Sequence, residues 1–254
     1  GGAFMTAPHQ ITQVDRPEAI PLLPPSSRTG RTTFLTFSNH VWSGAAQLPG
    51  AKTLYPGLAA RAEVIGADIY PLQSFCRKDA LAAVYAAQRE LVALARGKPT
   101  FQWIEADPMG VCWGLDPSPP VVRAETWLAV AGGARGIGYF PENWKPAVRA
   151  EITRLNAELR SLAPALLGPE LGVSVASPSK VVAGGSTYNG ALYVIAVNPT
   201  FARTSARFTV AGLGDRALRV WGEDRLVRPS GGTFTDRFRG LQARVYVAPP
   251  VGAE

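Results

Sequence analysis

Lys98-Pro99-Thr100-Phe101-Gln102-Trp103-Ile104-Glu105-Ala106 is a short apolar run, entered through Gly97 and closed by one carboxylate near a tryptophan. A run that leaves a helix and stops at a polar residue has the pattern of a buried parallel strand. Upstream of it, Leu81, Val84, Tyr85, Gln88, Leu91 and Val92 repeat at helical spacing. This predicts a helix from Asp79 to Ala95, capped by Asp79 and ended by Gly97. Downstream, the pattern predicts a helix from Val121 to Ala131, a strand over Gly136-Ile137-Gly138-Tyr139-Phe140 and an amphipathic helix from Ala147 to Leu162. Before Asp79, Glu63 to Tyr70 reads as a buried strand stopped by Pro71. Arg31 to Phe37 is a β-rich run closing on Ser38-Asn39-His40, and Ala3 to Met5 offers the end of one more strand.

Strand, loop and helix alternate through this region, as in βαβ units with a parallel sheet. Polar or aromatic residues gather where successive strands end: Asn39 and His40, Asp68 and Tyr70, Trp103 and Glu105, Tyr139 and Trp144. Four such endings fit a barrel rim better than an open sheet, which concentrates its site at one switch point. Past Pro164 the texture changes to short alternating runs separated by turns such as Tyr188-Asn189-Gly190 and Ser230-Gly231-Gly232. That pattern predicts an antiparallel β-sandwich. The expected domains are therefore 1–168, an α/β barrel portion, and 169–254, a sandwich.

The 254 residues are 46% hydrophobic and carry a net charge of +7 from scattered arginines, without a basic run interleaved with aromatics. No nucleic-acid partner is expected from that pattern. No apolar run is long enough to span a membrane. With only His9 and His40, and no cysteine pair at ligand spacing, neither a metal nor a cofactor is expected. Gly1-Gly2-Ala3-Phe4-Met5 has no signal-peptide pattern and suggests a processed or excised piece. Cys76 and Cys112 both follow strand ends in neighbouring units. A disulfide between the two loops is the expectation, with two unrelated thiols as the alternative. Pairing would imply an oxidising compartment and hence a secreted or extracytoplasmic protein.

Taken in order, Asp68-Ile69-Tyr70-Pro71, Phe101-Gln102-Trp103-Ile104-Glu105 and Gly136-Ile137-Gly138-Tyr139-Phe140 resemble the late barrel strands of the retaining (β/α)8 TIM-barrel glycoside hydrolases of clan A, of β-galactosidase-like character. Gly222-Glu223-Asp224-Arg225 and Phe234-Thr235-Asp236-Arg237-Phe238 resemble the sandwich that follows such barrels. The resemblance implies strands four to eight of a barrel with the first strands missing, and a carbohydrate substrate. It assigns Glu105 as nucleophile, Tyr70 as the residue that orients it, and Trp144 as a platform under the sugar. Asn39, His40, Asp68, Trp103 and Tyr139 would line the same pocket.

Retaining glycosidases use two carboxyl groups about 5 Å apart. In the family the second stands at the end of strand four; here that alignment meets Ala7. Loss of a general acid costs roughly two to four orders of magnitude in rate. The incomplete barrel further implies a second polypeptide or a second copy supplying the missing strands. Two readings follow: a retaining β-glycosidase, or a non-catalytic carbohydrate-binding protein or structural subunit that lost its acid/base glutamate.

Plainer readings stand beside these. Glu105 is alternatively a structural carboxylate paired with Arg123 or Arg135, Asp68 alternatively holds a loop, and Tyr70 is alternatively plain packing at the rim. Glu142 is a candidate replacement acid. Arg123-Ala124-Glu125 reads as an ion pair at a helix start.

Overall fold

The structure, a computed structural model, describes residues 32–38, 55–141 and 143–252. Its first part contains β1 (Phe34–Ser38), α1 (Tyr55–Ala60), β2 (Val64–Asp68), α2 (Ala82–Ala95), β3 (Thr100–Glu105), α3 (Pro119–Ala131), β4 (Gly136–Phe140) and α4 (Pro146–Leu166). The four strands are parallel and lie in chain order, β1-β2-β3-β4. Leu35, Phe37, Ile65, Ala67, Ile69 and Ile104 share one core with Val84, Leu91, Trp127 and Leu128 of the helices. The opposite face carries Phe34, Phe101 and Trp103, which are only half-buried. Helices packed on one face of a sequentially ordered parallel sheet match the arrangement of a barrel wall better than that of a doubly wound sheet. The described residues form no complete barrel, and Ala3 to Met5 and Ala7 lie outside them.

Local chemistry sets the element ends. Asp79 does not cap α2: its carboxylate accepts from Nε and Nη2 of Arg77 at 3.0 and 2.7 Å, and Lys78–Ala80 forms a single 3-10 turn before the helix begins. Arg96 ends α2 in the left-handed region at φ 50°, followed by Gly97 at φ 89°. Pro119 and Pro146 open α3 and α4, where a missing N–H costs nothing.

Beyond α4 the chain forms β5 (Val173–Val175), β6 (Val182–Tyr188), β7 (Ala191–Val197), β8 (Thr204–Val210), β9 (Leu218–Val220), β10 (Leu226–Val227), β11 (Thr233–Phe238) and β12 (Ala243–Ala248). They make a five-stranded antiparallel sheet, β10-β9-β12-β7-β6, and a three-stranded one, β11-β8-β5. Phe208, Phe234 and Phe238 of the smaller sheet share a second core with Val194, Val220 and Tyr246 of the larger. The Phe234 and Tyr246 rings meet at 5.0 Å. The other face of the five-stranded sheet contributes Ile195, Val197 and Val245 to the helix core. Each such buried aliphatic side chain stabilises the junction by roughly 2 kcal/mol. At that junction Gly184 is required, because a Cβ there would stand 2.0 Å from the Ala131 carbonyl oxygen at the end of α3.

Candidate functional site at the carboxyl ends of the parallel strands

Glu105 closes β3, and there the burial alternation of the strand breaks: Phe101 and Trp103 are half-buried, whereas Ile104 and Glu105 are both fully buried. The cause is a roof. The backbone N–H groups of Leu72 and Gln73, in the loop after β2, donate to Oε1 and Oε2 of Glu105 at 2.8 and 2.7 Å. The Gln73 side chain then donates to the Leu115 carbonyl at 2.9 Å and accepts from the Met109 N–H at 2.6 Å. This ties the loop after β3 over the loop after β2. The Cys76–Cys112 disulfide, with Cα atoms 5.2 Å apart, joins the same two loops. The pairing expected from the sequence is therefore present.

Below the roof, Glu105 faces Glu125 of α3. Burial and the charge of Glu105 hold the Glu125 carboxyl well above the usual carboxylate range. Burial also raises Glu105, opposed by the adjoining Glu125 carboxyl and by the amide N–H groups of Leu72 and Gln73. Both Glu125 oxygens are buried without a hydrogen-bond partner among the described residues, which favours the neutral form of Glu125, while Glu105 keeps the amide bonds that favour its charged form. Tyr70, only 7% exposed, joins this cluster. Burial, and then the neighbouring charges of Asp68, Glu105 and Glu125, push its phenol far up. Its ring stacks on Phe140 at 5.9 Å.

The other expected site residues divide. Asp68, the last residue of β2, lies in register with Trp103 and shares the strand-end neighbourhood of Tyr70. The Trp103 indole N–H donates to Thr36 Oγ1 at 3.4 Å, across the half-buried sheet face. Tyr139 and Trp144 lie elsewhere. Their rings meet edge to face at 6.1 Å, and both pack against the helix-side core. The Trp144 indole N–H donates to the Pro141 carbonyl at 2.5 Å. The alternation of β4 puts Tyr139 with Ile137 on the helix side and Gly138 with Phe140 on the other. Asn39, His40 and Glu142 lie outside the described residues.

Neither arginine offered as a partner reaches Glu105. Arg123 binds Glu151 and, through two bonds of 2.8 Å, Glu158 of α4; Arg135 donates to the Leu167 carbonyl. Glu125 is the residue that sequence reasoning missed, since it was assigned to an ion pair with Arg123. It occupies a buried stripe of α3 with Val121, Val122, Leu128 and Ala129. A carboxylate at an apolar helical position was the available signal. Among the described residues, no cluster of His, Cys, Asp and Glu could hold a metal ion, and no helix is long and apolar enough to cross a membrane.

Comparison of the sequence with protein-family models and with curated proteins gives no match. Solved structures do match. An α-amylase from Geobacillus thermoleovorans, complexed with acarbose, superposes with a TM-score of 0.53 at 12% identity, over 79% of this chain and 57% of that one. A GH27 β-L-arabinopyranosidase from Geobacillus stearothermophilus gives 0.53 at 10% identity, over 86% and 58%. A maltogenic α-amylase from Thermotoga neapolitana gives 0.52 at 10% identity, over 76% and 52%. The chain thus spans a little over half the length of the solved structures it matches. What it shares with these barrel glycoside hydrolases is the fold of a part of them.

Proposed function

We propose that this chain is the later portion of a glycoside-hydrolase barrel (1–168) followed by a β-sandwich (169–254), and that it is a carbohydrate-binding protein in which Glu105 serves structure and not catalysis. The observation that carries this reading is the roof over Glu105. The residue is fully buried and both carboxylate oxygens accept backbone N–H groups. A nucleophile needs an open approach to an anomeric carbon and a second carboxyl on the far side of the bond. The carboxyl beside Glu105 is instead Glu125, itself wholly buried on a helix. The likeness to amylases and an arabinopyranosidase supports a carbohydrate ligand, and the disulfide supports an oxidising compartment.

The test is a panel of neutral oligosaccharides titrated against wild type and Glu105→Gln by calorimetry, with aryl glycosides assayed in parallel. Equal binding by both proteins, without turnover by either, is expected. Turnover by wild type that Glu105→Gln abolishes would overturn the reading.

One observation favours a second reading. Among the described residues β1 and β4 are unpaired edges of the parallel sheet, as in a barrel wall that awaits its other half. Completion by a second polypeptide or copy, with the roof displaced, would yield a retaining β-galactosidase-like enzyme with Glu105 as nucleophile and Tyr70 orienting it. Because Ala7 replaces the acid in the family alignment, that enzyme would cleave only glycosides with good leaving groups, and azide would accelerate it. Native mass measurement showing a lone chain, together with no azide response, excludes this second reading.

A further inference from the structure

The outward face of the three-stranded sheet has an unusual composition. In β8 and β11 the inward positions are Ala206, Phe208, Val210, Phe234 and Phe238, with Asp236 between the last two. The outward positions between them hold only serine, threonine and arginine, with Ser205 opposite Arg237 and Arg207 opposite Thr235. Arg203 and Arg239 continue the same two columns just past the ladder, and all four arginines are exposed. No side-chain hydrogen bond or ion pair engages any of the four guanidinium groups among the described residues. The carboxylate nearest in sequence, Asp236, points inward and is taken up by Arg225, Arg244 and Tyr246.

Four unpaired cations on a flat face resist one another, so the face is complementary to a polyanion. Outward positions on these two strands carry no aromatic ring to stack on bases and no apolar wedge to enter a bilayer. They do carry hydroxyls, which suit a hydroxylated polymer. Guanidinium forks match planar carboxylates bidentately.

We propose that this face binds a polyuronate, a polysaccharide bearing one carboxylate per sugar, with Arg207 and Arg237 as the central contacts. The proposal rests on the carbohydrate-binding reading above and extends it to a second surface, remote in sequence from Glu105.

The test titrates wild type, Arg207→Gln/Arg237→Gln and the charge-matched control Arg96→Gln/Arg149→Gln with polygalacturonate, dextran sulfate, duplex DNA and the neutral oligosaccharides, at a series of ionic strengths matched between proteins. The expected result is polygalacturonate binding that falls about tenfold in the sheet variant, with a shallower salt dependence, and is unchanged in the control. Equal losses in both variants would reduce the effect to net charge and overturn the proposal. So would no polygalacturonate binding by wild type, or tighter binding of DNA or dextran sulfate than of polygalacturonate. Loss of neutral-sugar binding alone, with polygalacturonate binding intact, counts against the proposed function and leaves the sheet face standing.

Discussion

Glu105 and Glu125 are buried beside Tyr70 with no lysine or arginine among the described residues bonded to either, whereas Glu223 and Asp236 are gripped by Arg225 and Arg244. Both clusters hold acids out of water, by opposite chemistry. In the parallel-sheet portion the burial penalty is met by holding one carboxyl toward its neutral form and giving the other two amide N–H groups. In the β portion it is met by cations: Arg225 and Arg244 and the Tyr246 hydroxyl all reach Asp236, and both arginines reach Glu223. Hydrogen bonds and opposite charge hold Glu223 and Asp236 below the usual carboxylate range, although burial opposes it. Cation-held carboxylates stabilise a fold while ionised; proton-held ones do so while neutral. Carboxyl groups that must stay neutral at a strand end serve packing as readily as chemistry, and access decides between the two.

The largest effect separating the two regions is expected from the disulfide, which braces only the roof of the first. It closes a loop with a sequence separation of 36 residues. Its loss through Cys76→Ser/Cys112→Ser should cost about 4 kcal/mol of unfolding free energy in the chain-entropy picture. Chemical denaturation measures the loss, and hydrogen exchange should show the Leu72, Gln73 and Met109 amides opening first. Unchanged protection there would mean the roof stands without its brace.

Next comes the cation-held cluster. Asp236→Ala leaves Arg225, Arg244 and the Tyr246 hydroxyl without their shared acceptor, beside a core built on Phe208 and Phe238. A half-broken, partly buried ion pair of this kind costs about 3 kcal/mol. A loss under 1 kcal/mol by denaturant titration would show that Glu223 and solvent take over the arginines. Glu105→Ala should cost less, about 2 kcal/mol, because it orphans two amide N–H groups but also relieves Glu125 of a neighbouring charge.

The sequence made the elements legible where periodicity is local. The run from Lys98 to Ala106 became β3, and the alternation around it became a parallel sheet with helices on one face. It misled where the deciding partner is distant. The Gly184-Gly185 pair interrupts the alternation past Pro164, yet β6 runs through it to Tyr188, because the two glycines let its backbone close on α3 and on Val173. Asp79 looked like a cap until Arg77 competed for it. For the site, the strand-end position of Glu105 and the cysteine pairing could be read, because both follow from where loops begin. A strand-end residue does not announce its face, so Tyr139 and Trp144 were grouped with Glu105 although they turn to the helices. Nor could spacing show that the loops after β2 and β3 would close over Glu105, since that depends on Gln73 reaching Met109 and Leu115.

The finest test of the comparison is the sign of the pH dependence. Glu125 has a folded pKa raised above its ordinary value of 4.5, so between the two values the native state binds more protons than the unfolded one. Stability from this group is therefore greatest at low pH and falls as pH rises from about 4.5 through the folded value. Asp236, whose folded pKa is lowered from 3.8, works the other way: its contribution is full above the ordinary value and is lost as pH falls through the folded one. Glu125→Gln keeps the shape and stays neutral at every pH. Its stability relative to wild type should rise with pH, by about 1 kcal/mol for each pH unit crossed inside that window. Asp236→Asn should show the opposite slope, falling further behind wild type as pH climbs from the lowered folded value to about 3.8 and staying level above it. Denaturation curves for the three proteins, begun below about pH 3 and carried to about pH 8 so that both windows are crossed, decide the matter. Parallel slopes would mean that the first cluster is held by charge after all, and a Glu105 that is ionised and free of Glu125's proton regains its claim to act as a nucleophile.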